Sequence, residues 1–519
     1  MNAAPLQPPK VHLSELIQDV VSLTVARDPL LCGITLDSRR TGKGDLFMAC
    51  KGADHDGRDY IDNAIAGGAS AILVEQDEDW KEQVMQGNVP LIPVPRLPEI
   101  MGRVAARFYG EPAQAMRMVG ITGTNGKTTT CHLTARLFSL LGYRCGVIGT
   151  LGYGALDGPL THDSGVPSTT PDAVSLQRQL AGLNGDNCDT VVMEVSSHGL
   201  DQYRVNIDEF SVAVFTNLTR DHLDYHGSME RYADAKRRLF TGRTLSVAVL
   251  NEDDPWSRDT RKLLSGNVNC LSWSLGNVEA DVCCRNMEFS AGGMMLEIAT
   301  PWGVHAVRTT LLGSFNASNL MAALTTVLGC ESGKATFNAA NIINAIAELR
   351  PVTGRMQRIE GNWPVEVVID YAHTPDGLEK ALTATREHCK GRLWVVFGCG
   401  GNRDRGKRPQ MAAVAEANAD MVVLTNDNPR DEEPLQIIRD MQAGLDNVEL
   451  AIVEPDRSKA ISYALSHAGH GDAVLVAGKG HESWQEIAGQ KIPFNDAEVA
   501  AQLLLQQFDP AKVNAGERS

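Results

Sequence analysis

The sequence predicts an α/β protein of three domains, and three observations support this prediction. The chain has 519 residues, more than one hydrophobic core usually holds, because domains run to about 100–200 residues. Short apolar runs recur along it, each ends in a polar or glycine-rich loop, and stretches with helical spacing separate them, as in parallel α/β sheets. The composition, 43% hydrophobic and 22% charged, is that of a globular protein.

The first 112 residues predict a small α/β domain. "ASAILVEQ" at 69–76 and "VPLIPVP" at 89–95 are apolar runs of strand length. "GEPAQAM" at 110–116 carries the glycine and proline that are typical of a linker. We therefore place the first domain at 1–112.

We place the next domain at 113–349, and its sequence predicts a parallel sheet. "RMVGIT" at 117–122 is a short buried strand, and after it comes a stretch with helical leucine spacing that Gly142 can terminate. "CDTVVMEVSS" at 188–197 and "FSVAVFTNL" at 210–218 are further buried strands that end in polar residues. Strands and helices therefore alternate in this domain.

We place the last domain at 350–519, and its sequence predicts a Rossmann-like α/β fold. It contains four apolar strands, and helical patterns lie between them. In open parallel sheets, ligands bind beyond the carboxyl ends of the strands. Functional residues are therefore expected in the four loops that follow the strands, at 370–376, 398–408, 427–430 and 478–482.

Composition excludes several classes of protein. A net charge of −16 argues against nucleic acid as a partner. No apolar run is long enough for a transmembrane helix and the N-terminus does not resemble a secretory signal, so we expect no membrane insertion and a cytoplasmic location. The eleven cysteines lack metal-ligand spacing, which predicts reduced thiols. A monomer is the default expectation.

The stretch "GITGTNGKTTT" at 120–130 predicts a phosphate-binding loop. Gly123 and Gly126 let backbone N–H groups approach phosphate oxygens, Lys127 supplies a cation, and Thr128 supplies a hydroxyl for Mg²⁺. The strict pattern requires glycine at position 121, where this chain has isoleucine. A strand before the loop and a helix after it nevertheless favour a variant phosphate loop over an ordinary tight turn. The central domain is therefore predicted as P-loop ATPase-like.

This loop and its flanks resemble the Mur ligase family, which includes the folylpolyglutamate synthetases. The resemblance implies that ATP drives amide formation through an acyl phosphate. Arg355 and Asp370, from the junction to the third domain, then imply closure over ATP, with His373 beside them. Asn316 is implied to contact the adenine or ribose, but an ordinary helix N-terminus capped by asparagine explains this residue almost as well. The implied ATP contacts are Gly123, Thr124, Asn125, Gly126, Lys127, Thr128, Thr129, Asn316, Arg355 and Asp370.

The resemblance also implies a magnesium site and four catalytic residues. Glu194 ends a strand, and His222 fits the family's pattern, although a polar loop residue is the ordinary reading of such a histidine. Lys236 alone would be a solvated helix residue, but in the family the lysine of this pattern is carbamylated by CO₂ and can bind Mg²⁺. His226 is predicted to be structural. The implied catalytic residues are Lys127, Glu194, His222 and Lys236, and the implied metal ligands are Thr128, Glu194, His222 and carbamylated Lys236.

The N-terminal domain resembles the uridine-binding domain of the Mur enzymes that add the third amino acid to UDP-MurNAc-dipeptide. Folylpolyglutamate synthetases lack this domain. Hydroxyl groups and an arginine suit a polyanionic substrate. The implied UDP-MurNAc-dipeptide contacts are Leu36, Ser38, Ala53, Asp54, His55, Ser168, Thr169, Thr170, Ser196, Gln202 and Arg204.

The motif "DNPR" at 427–430 resembles the form found in diaminopimelate-adding Mur ligases. Diaminopimelate differs from lysine by a carboxylate at its far end, which a guanidinium binds through two parallel hydrogen bonds. Glu482 would meet the distal ammonium. An Asx–Pro turn with an exposed arginine is the ordinary alternative. The implied diaminopimelate contacts are Arg403, Asp427, Asn428, Pro429, Arg430, Gly478 and Glu482.

Together these resemblances imply ATP-dependent addition of meso-2,6-diaminopimelate to UDP-N-acetylmuramoyl-L-alanyl-D-glutamate, in peptidoglycan precursor synthesis. A lysine-adding relative and a non-ligase P-loop ATPase remain alternatives. The stretch "FGCGGNRD" at 397–404 also fits part of a nicotinamide-binding pattern, but residue 403 is arginine where that pattern needs glycine.

Overall fold

The structure is a computed structural model that describes residues 9–25, 27–52, 55–163, 168–290, 292–361 and 363–508. The chain forms two compact units. Unit 1 comprises Met1–Ala280 and Ala322–Asn338, and unit 2 comprises Asp281–Met321 and Ala339–Ser519. A compact unit can contain more than one domain, so the division at 112 and 349 stays a prediction.

The N-terminal part of unit 1 is a small five-stranded sheet with helices. Its strand order is β3-β4-β5-β7-β6, in which β6 alone is antiparallel to its neighbour, and β1 pairs separately with β2. The strands are β1 Val11–His12, β2 Leu30–Leu31, β3 Gly33–Thr35, β4 Asp45–Ala49, β5 Ala71–Glu75, β6 Val84–Gln86 and β7 Val89–Val94. The helices are α1 Leu13–Ile17, α2 Ile61–Gly67 and α3 Leu97–Phe108.

A second sheet of unit 1 contains the phosphate loop. Its order is β10-β9-β11-β8-β12-β13-β14, and every pair is parallel except β9 with β10. The strands are β8 Arg117–Thr122, β9 Cys145–Gly149, β10 Gly152–Ala155, β11 Thr190–Glu194, β12 Val212–Phe215, β13 Val247–Asn251 and β14 Asn269–Ser274. The helices are α4 Lys127–Leu140, α5 Ala173–Gly185, α6 Ser197–Asp201, α7 Leu223–His226, α8 Met229–Arg237 and α9 Trp256–Arg261.

The position of β8 in this sheet determines where the site lies. β8 pairs with β11 on one side and with β12 on the other. Because all three strands are parallel, the loops that leave their carboxyl ends meet at one edge of the sheet. These loops begin with Gly123, Val195 and Thr216, which is where the sequence predicts the nucleotide and metal residues.

Helix α4 shows how sequence sets the limits of an element. It begins directly after Gly126, whose φ of 82° lies in the left-handed region. It ends at Leu140, and Gly142 follows with a φ of 93°. The N–H of Tyr143 donates to Phe138 O at 3.1 Å, which closes the helix end in the way that a left-handed glycine permits.

Unit 2 contains a six-stranded sheet, an antiparallel meander and a hairpin. The sheet order is β18-β19-β23-β20-β21-β22, with only β18 antiparallel; β15, β16 and β17 form the meander, and β24 pairs with β25. The strands are β15 Val282–Ser290, β16 Gly293–Thr300, β17 Gly303–Thr309, β18 Gln357–Arg358, β19 Glu366–Asp370, β20 Leu393–Phe397, β21 Met421–Leu424, β22 Ile452–Val453, β23 Ala473–Ala477, β24 Trp484–Ile487 and β25 Gln490–Pro493.

Helices cover both faces of the six-stranded sheet. Leu382 and Met411 pack with Leu475 in one buried cluster, whereas Ile461 and Leu504 pack in a second cluster. The α/β prediction is confirmed. None of the described helices is long and apolar enough to cross a membrane. The helices are α10 Ser314–Glu331, whose residues up to Met321 belong to unit 2 and the rest to unit 1, α11 Ala339–Asn344, α12 Pro375–His388, α13 Lys407–Asn418, α14 Pro434–Gln442, α15 Arg457–His467 and α16 Asp496–Phe508.

Candidate functional site

The phosphate loop requires glycine at position 123 for steric reasons. Gly123 has a φ of 150°, and a Cβ placed there would lie 1.9 Å from Thr216 Oγ1. Gly126 places the chain in the left-handed region directly before the first residue of α4. No such requirement applies at Ile121, which is a fully buried strand residue of β8.

The loop is held by residues after β12 that the sequence predictions missed. The N–H of Asn125 donates to Asn217 Oδ1 at 3.0 Å, and Asn217 Nδ2 donates back to Asn125 O at 3.1 Å. Thr216 Oγ1 also donates to Asn125 O at 2.7 Å. Thr216 and Asn217 are two polar residues directly after an apolar strand, and this position is the sequence signal that could have identified them.

Three further residues predicted to bind nucleotide lie in the loop or in the first turn of α4. Lys127 Nζ donates to Gly123 O at 3.0 Å and to Thr124 O at 2.9 Å, so its ammonium lies over the loop. Thr124 Oγ1 is hydrogen-bonded to the hydroxyl of Tyr232 at 3.1 Å. Thr129 is buried in the first turn of α4.

Glu194 and Thr128 are brought together by the pairing of β11 with β8. Thr128 Oγ1 donates to Glu194 Oε2 at 2.8 Å, and the N–H of Thr150 donates to Glu194 Oε1 at 2.7 Å. The glutamate is 1% exposed. A hydroxyl and a carboxylate in contact are oxygen ligands of the type that Mg²⁺ prefers.

Lys236 is buried against the same loop. It lies on α8, is 1% exposed, and its Nζ donates to Gly123 O at 2.8 Å, with the Tyr232 ring centroid 4.4 Å away. Burial, and next the charge of Lys127, hold the pKa of Lys236 well below its ordinary value, while Asp221 opposes this. The solvated-face reading of Lys236 is therefore wrong.

His222 differs from these groups because its side chain is 47% exposed, 3.5 Å from Asp221 Oδ2. Its ring centroid lies 4.8 Å from that of His198, and burial, with the charges of His222 and His226, lowers the pKa of His198 to about 4. His226 is buried with its Nε2 3.0 Å from Ser197 Oγ, which fits a structural residue. Among the described residues, no three His, Cys, Asp or Glu side chains form a metal-ligand group. The four-ligand magnesium set stays a prediction.

The residues predicted for the sugar, pyrophosphate and peptide form one connected cluster. Arg204 Nη1 donates to Ser168 Oγ at 3.0 Å, and its Nη2 donates to Gln202 Oε1 at 2.6 Å. Thr170 Oγ1 donates to Glu194 O at 3.0 Å, which joins this cluster to the strand end described above. Two further contacts extend it: Thr169 Oγ1 with Thr150 Oγ1 at 3.2 Å, and the N–H of Ser196 to Thr170 Oγ1 at 2.9 Å.

A cavity of about 270 Å³ adjoins this cluster within unit 1. Its walls include Asp37 and Arg40 from the N-terminal sheet region and Ser168 from the cluster. Leu36 and Ser38 flank Asp37 in the chain, and His55 is exposed. Ala53 and Asp54 lie outside the described residues.

In unit 2, the predicted nucleotide residue Arg355 lies shortly before β18, and Asp370 is the last residue of β19. Asp370 ends β19 and accepts hydrogen bonds from the N–H groups of Met356 and Ala372, both at 2.8 Å. Burial raises its pKa, although Arg355 opposes the change. The Arg355 guanidinium carbon lies 4.6 Å from the Tyr371 ring centroid.

Two other residues of this group have structural partners. Asn316 is 2% exposed in the first turn of α10, where its Nδ2 donates to Leu312 O at 2.8 Å and its Oδ1 accepts from Asn319 Nδ2 at 3.1 Å. His373 is exposed, and its Nδ1 lies 2.9 Å from Tyr371 O. These contacts do not test whether Asn316 or His373 binds the nucleotide.

Arg430 is fixed both through its backbone and through its side chain. Its φ is 53°, its N–H donates to Glu486 O at 3.0 Å, and its carbonyl accepts from Ala488 N at 2.7 Å. Its Nη1 donates to Gly401 O at 2.7 Å, while its Nε lies 3.3 Å from Glu486 Oε2. The β24–β25 hairpin, which the sequence predictions missed, therefore holds this arginine.

The other predicted amino-acid residues surround Asn428. Its Nδ2 donates to Glu482 Oε2 at 2.8 Å, and Gly401 N donates to Asn428 O at 2.9 Å. A Cβ at Gly478, whose φ is 114°, would lie 2.7 Å from Asp427 Oδ2. A Cβ at Gly401 would lie 1.9 Å from Pro429 O.

Arg403 completes the predicted set. It is exposed, and in the ranges that the structure describes it forms no hydrogen bond or ion pair. It nevertheless lies near enough to the site to influence Tyr371 electrostatically. All four predicted loops thus meet at one place in unit 2, because Gly478 N donates to Asp370 O at 3.1 Å and Lys407 Nζ donates to His373 O at 2.9 Å.

Comparison with known proteins identifies the family. Three family models match: "Mur ligase family, catalytic domain" over residues 31–109, "Mur ligase middle domain" over 121–327, and "Mur ligase, glutamate ligase domain" over 354–480. A protein of Coxiella burnetii is 46% identical over 497 residues, covering 95% of this chain and 99% of its own. The chain belongs to the Mur ligase family.

Two further similarities support the Mur ligase assignment. A Chromobacterium violaceum protein is 48% identical over 475 residues, covering 91% of this chain and 94% of its own. Both relatives are named "UDP-N-acetylmuramoyl-L-alanyl-D-glutamate--2,6-diaminopimelate ligase". A solved structure with the same name in its description is 36% identical with a TM-score of 0.71, covering 96% of this chain and 99% of that one. This Mur ligase chain is therefore an enzyme, and its α/β architecture is that of its relatives.

Proposed function

We propose that the chain is an ATP-dependent, ADP-forming ligase of the MurE type, which adds meso-2,6-diaminopimelate to UDP-N-acetylmuramoyl-L-alanyl-D-glutamate. The observation that carries this proposal is the convergence of Arg430, Asn428 and Glu482 in a chain whose relatives bear that name. Arginine and glutamate side chains at one place suit a ligand group that has both a carboxylate and an ammonium.

Activation of the D-glutamyl carboxylate is assigned to unit 1. The γ-carboxylate attacks the γ-phosphorus of ATP, an acyl phosphate forms, and ADP leaves. Lys127 and the N–H groups of the glycine loop stabilise charge on the phosphoryl oxygens as they transfer. The amine of the amino acid then attacks the acyl carbon, phosphate leaves, and the amine loses a proton.

Thr128 and Glu194 would hold Mg²⁺, since their oxygens already lie 2.8 Å apart at the start of α4. Bound Mg²⁺ would neutralise charge on the phosphate oxygens. We assign His222 to the same set on the family pattern.

Lys236 would contribute a carbamate to this set. A lowered pKa leaves more of the amine neutral, and only a neutral amine has the lone pair that attacks CO₂. The nitrogen forms a bond to the carbon of CO₂ and loses one proton. The product is an anion with two oxygen atoms, which can bind a cation that an ammonium would repel.

The remaining contacts follow the family pattern. We assign binding of the UDP-MurNAc-dipeptide to the cluster around Arg204, to Leu36 and Ser38, and to residues 53–55. The cluster comprises Ser168, Thr169, Thr170, Ser196, Gln202 and Arg204. The cavity walled by Asp37 and Arg40 adjoins that cluster, which supports the assignment. The nucleotide is assigned in addition to Asn316, Arg355 and Asp370, and the amino acid to Arg403, Asp427, Pro429 and Gly478. The cytoplasmic location and the monomeric state stay predictions.

The test is phosphate release with UDP-MurNAc-L-Ala-D-Glu and ATP, in parallel with meso-diaminopimelate, L-lysine or no amino acid. We expect turnover with meso-diaminopimelate and at least about 100-fold lower kcat/KM with lysine, because lysine lacks the distal carboxylate that the Arg430 guanidinium would bind. Equal turnover with lysine would favour the lysine-adding alternative. ATP hydrolysis that ignores both co-substrates would favour the non-ligase ATPase.

A further inference from the structure

A fully buried lysine lies among the loops proposed to bind the amino acid, and no role has been assigned to it. Lys479 directly follows Gly478 after β23, and its side chain is 0% exposed. An ammonium is almost never fully buried without partners, because loss of its hydration is costly. Its partners therefore indicate its role.

The side chains of Lys479, Glu482 and Asn428 form a ring of three hydrogen bonds. Its Nζ donates to Glu482 Oε2 at 2.8 Å and to Asn428 Oδ1 at 3.1 Å. Asn428 Nδ2 donates to the same Glu482 Oε2 at 2.8 Å. Two donors on one carboxylate oxygen fix the rotation of the carboxylate, because turning it would break both charge-assisted hydrogen bonds.

The ring leaves the other carboxylate oxygen for a ligand. Glu482 is 21% exposed, so part of its carboxylate reaches the surface while Lys479 does not. Within the described ranges, Glu482 Oε1 accepts no hydrogen bond. A second ammonium can therefore bind at Oε1 without displacing the lysine.

The same ring is connected to Arg430. Asn428 Oδ1 also accepts a hydrogen bond from the N–H of Glu486 at 2.9 Å, and Glu486 Oε2 lies 3.3 Å from Arg430 Nε. Lys479 thus contacts the residue that links the carboxylate end and the ammonium end of the proposed site.

We propose that Lys479 is a positioning residue for substrate choice: it fixes the Glu482 carboxylate so that Oε1 binds the distal ammonium of the incoming diamino acid. This inference rests on the proposed function. It predicts that Lys479 matters for amino acids that carry a distal ammonium and not for those that lack it.

The experiment compares two amino-acid substrates in three proteins. α-Aminopimelate has the distal carboxylate of diaminopimelate and lacks the distal amine. In Lys479→Met, KM for meso-diaminopimelate should rise about tenfold with kcat within about twofold, and KM for α-aminopimelate should stay within about twofold. The control is Lys459→Met, which removes a lysine whose side chain is 73% exposed and should change neither constant.

Three outcomes would count against the inference. If Lys479→Met raises both KM values equally, the lysine supports the fold of the loop and does not act on the ammonium. If neither KM changes, it does not position Glu482. If the wild-type protein uses neither substrate, the proposed function itself is wrong and the inference falls with it.

A second pair of variants keeps the test decisive if Lys479→Met does not fold. Lys479→Gln keeps one donor for the ring and should lose part of the preference for meso-diaminopimelate over α-aminopimelate. Glu482→Gln should abolish the same preference, and adding Lys479→Gln to it should cause no further loss. An unchanged preference in Lys479→Gln, or additive losses in the double variant, would overturn the proposal.

Discussion

The protein contains two buried lysines in different environments. Lys236 in unit 1 is 1% exposed, and in the part of the chain that the structure describes no carboxylate lies within ion-pair distance of it. Lys479 in unit 2 is 0% exposed and pairs with Glu482 at 2.8 Å. A buried amine with a carboxylate partner is stabilised as an ammonium, whereas one without such a partner tends to be neutral.

This difference corresponds to two proposed chemical roles. Burial lowers the pKa of Lys236, which favours the neutral amine that can react with CO₂ and become an anionic ligand beside the phosphate loop. Lys479, which pairs with Glu482, can orient that carboxylate beside the amino-acid site. Burial alone therefore does not define the role of a lysine, because the presence or absence of a carboxylate partner also matters.

The largest expected effect follows from removal of the Lys236 amine. Lys236→Met should lower kcat by about 10²–10³-fold, as loss of one group that stabilises transferring charge usually does. Phosphate release with all substrates present measures this. A variant with activity within about threefold of wild type would show that the amine takes no part in the reaction.

Removal of the other lysine should lower stability as well as change the KM for the amino acid. Lys479→Met should lower the free energy of unfolding by about 2–3 kcal/mol, because Glu482 and Asn428 lose a buried donor. Urea denaturation of the two proteins measures the difference. No loss of stability would mean that the ion pair of Lys479 is not what keeps it buried.

Replacement of Arg430 tests the carboxylate end of the same site. Arg430→Lys should lower kcat/KM for meso-diaminopimelate about 10–30-fold, since a point charge cannot form two parallel hydrogen bonds. The dissociation constant for ATP should stay within about twofold of wild type, and nucleotide titration measures it. A parallel loss of ATP affinity would indicate general disruption.

In contrast to Lys479, Lys236 should destabilise the unmodified protein. Lys236→Met should raise the free energy of unfolding by about 1 kcal/mol in CO₂-free buffer at neutral pH, because a lowered pKa disfavours the folded state there. The unfolded chain binds more protons between the lowered pKa and the ordinary value of 10.5. Stability of the unmodified protein therefore rises with pH in that range, and the advantage of the variant should shrink toward pH 10.5. Urea denaturation at several pH values measures this, and an advantage independent of pH would contradict it.

The smallest effect is expected at an exposed lysine. Lys380 pairs with Asp376 at 2.7 Å, four residues apart on α12, with side chains 41% and 59% exposed. Lys380→Met should change the free energy of unfolding by no more than about 0.5 kcal/mol. A larger change would mean that the contrast between buried and exposed lysines is overstated.

The sequence was sufficient for seven buried strands of the two larger sheets and for the loops after them. β8, β11, β12, β19, β20, β21 and β23 lie where apolar runs predicted strands, because a strand buried on both faces leaves a continuous hydrophobic signal. The β15–β17 meander was missed, although the glycines at 293 and 303 mark its two turns.

The candidate site was only partly predictable. Gly123 and Arg430 stand in recognisable local motifs, and their positions in the structure fit the chemistry those motifs suggest. Lys479 lies between two residues that were predicted, yet a lysine in a glycine-rich loop gives no local sign of burial. Its environment depends on Asn428, which is distant in sequence, so only the folded structure reveals it.

Carbon NMR of the protein in isotopically labelled bicarbonate tests the contrast between the two lysines most directly. We expect one carbamate signal that is present in the wild type and in Lys479→Gln and absent from Lys236→Met. The complete absence of a carbamate signal, or a signal that persists in Lys236→Met, would contradict the account.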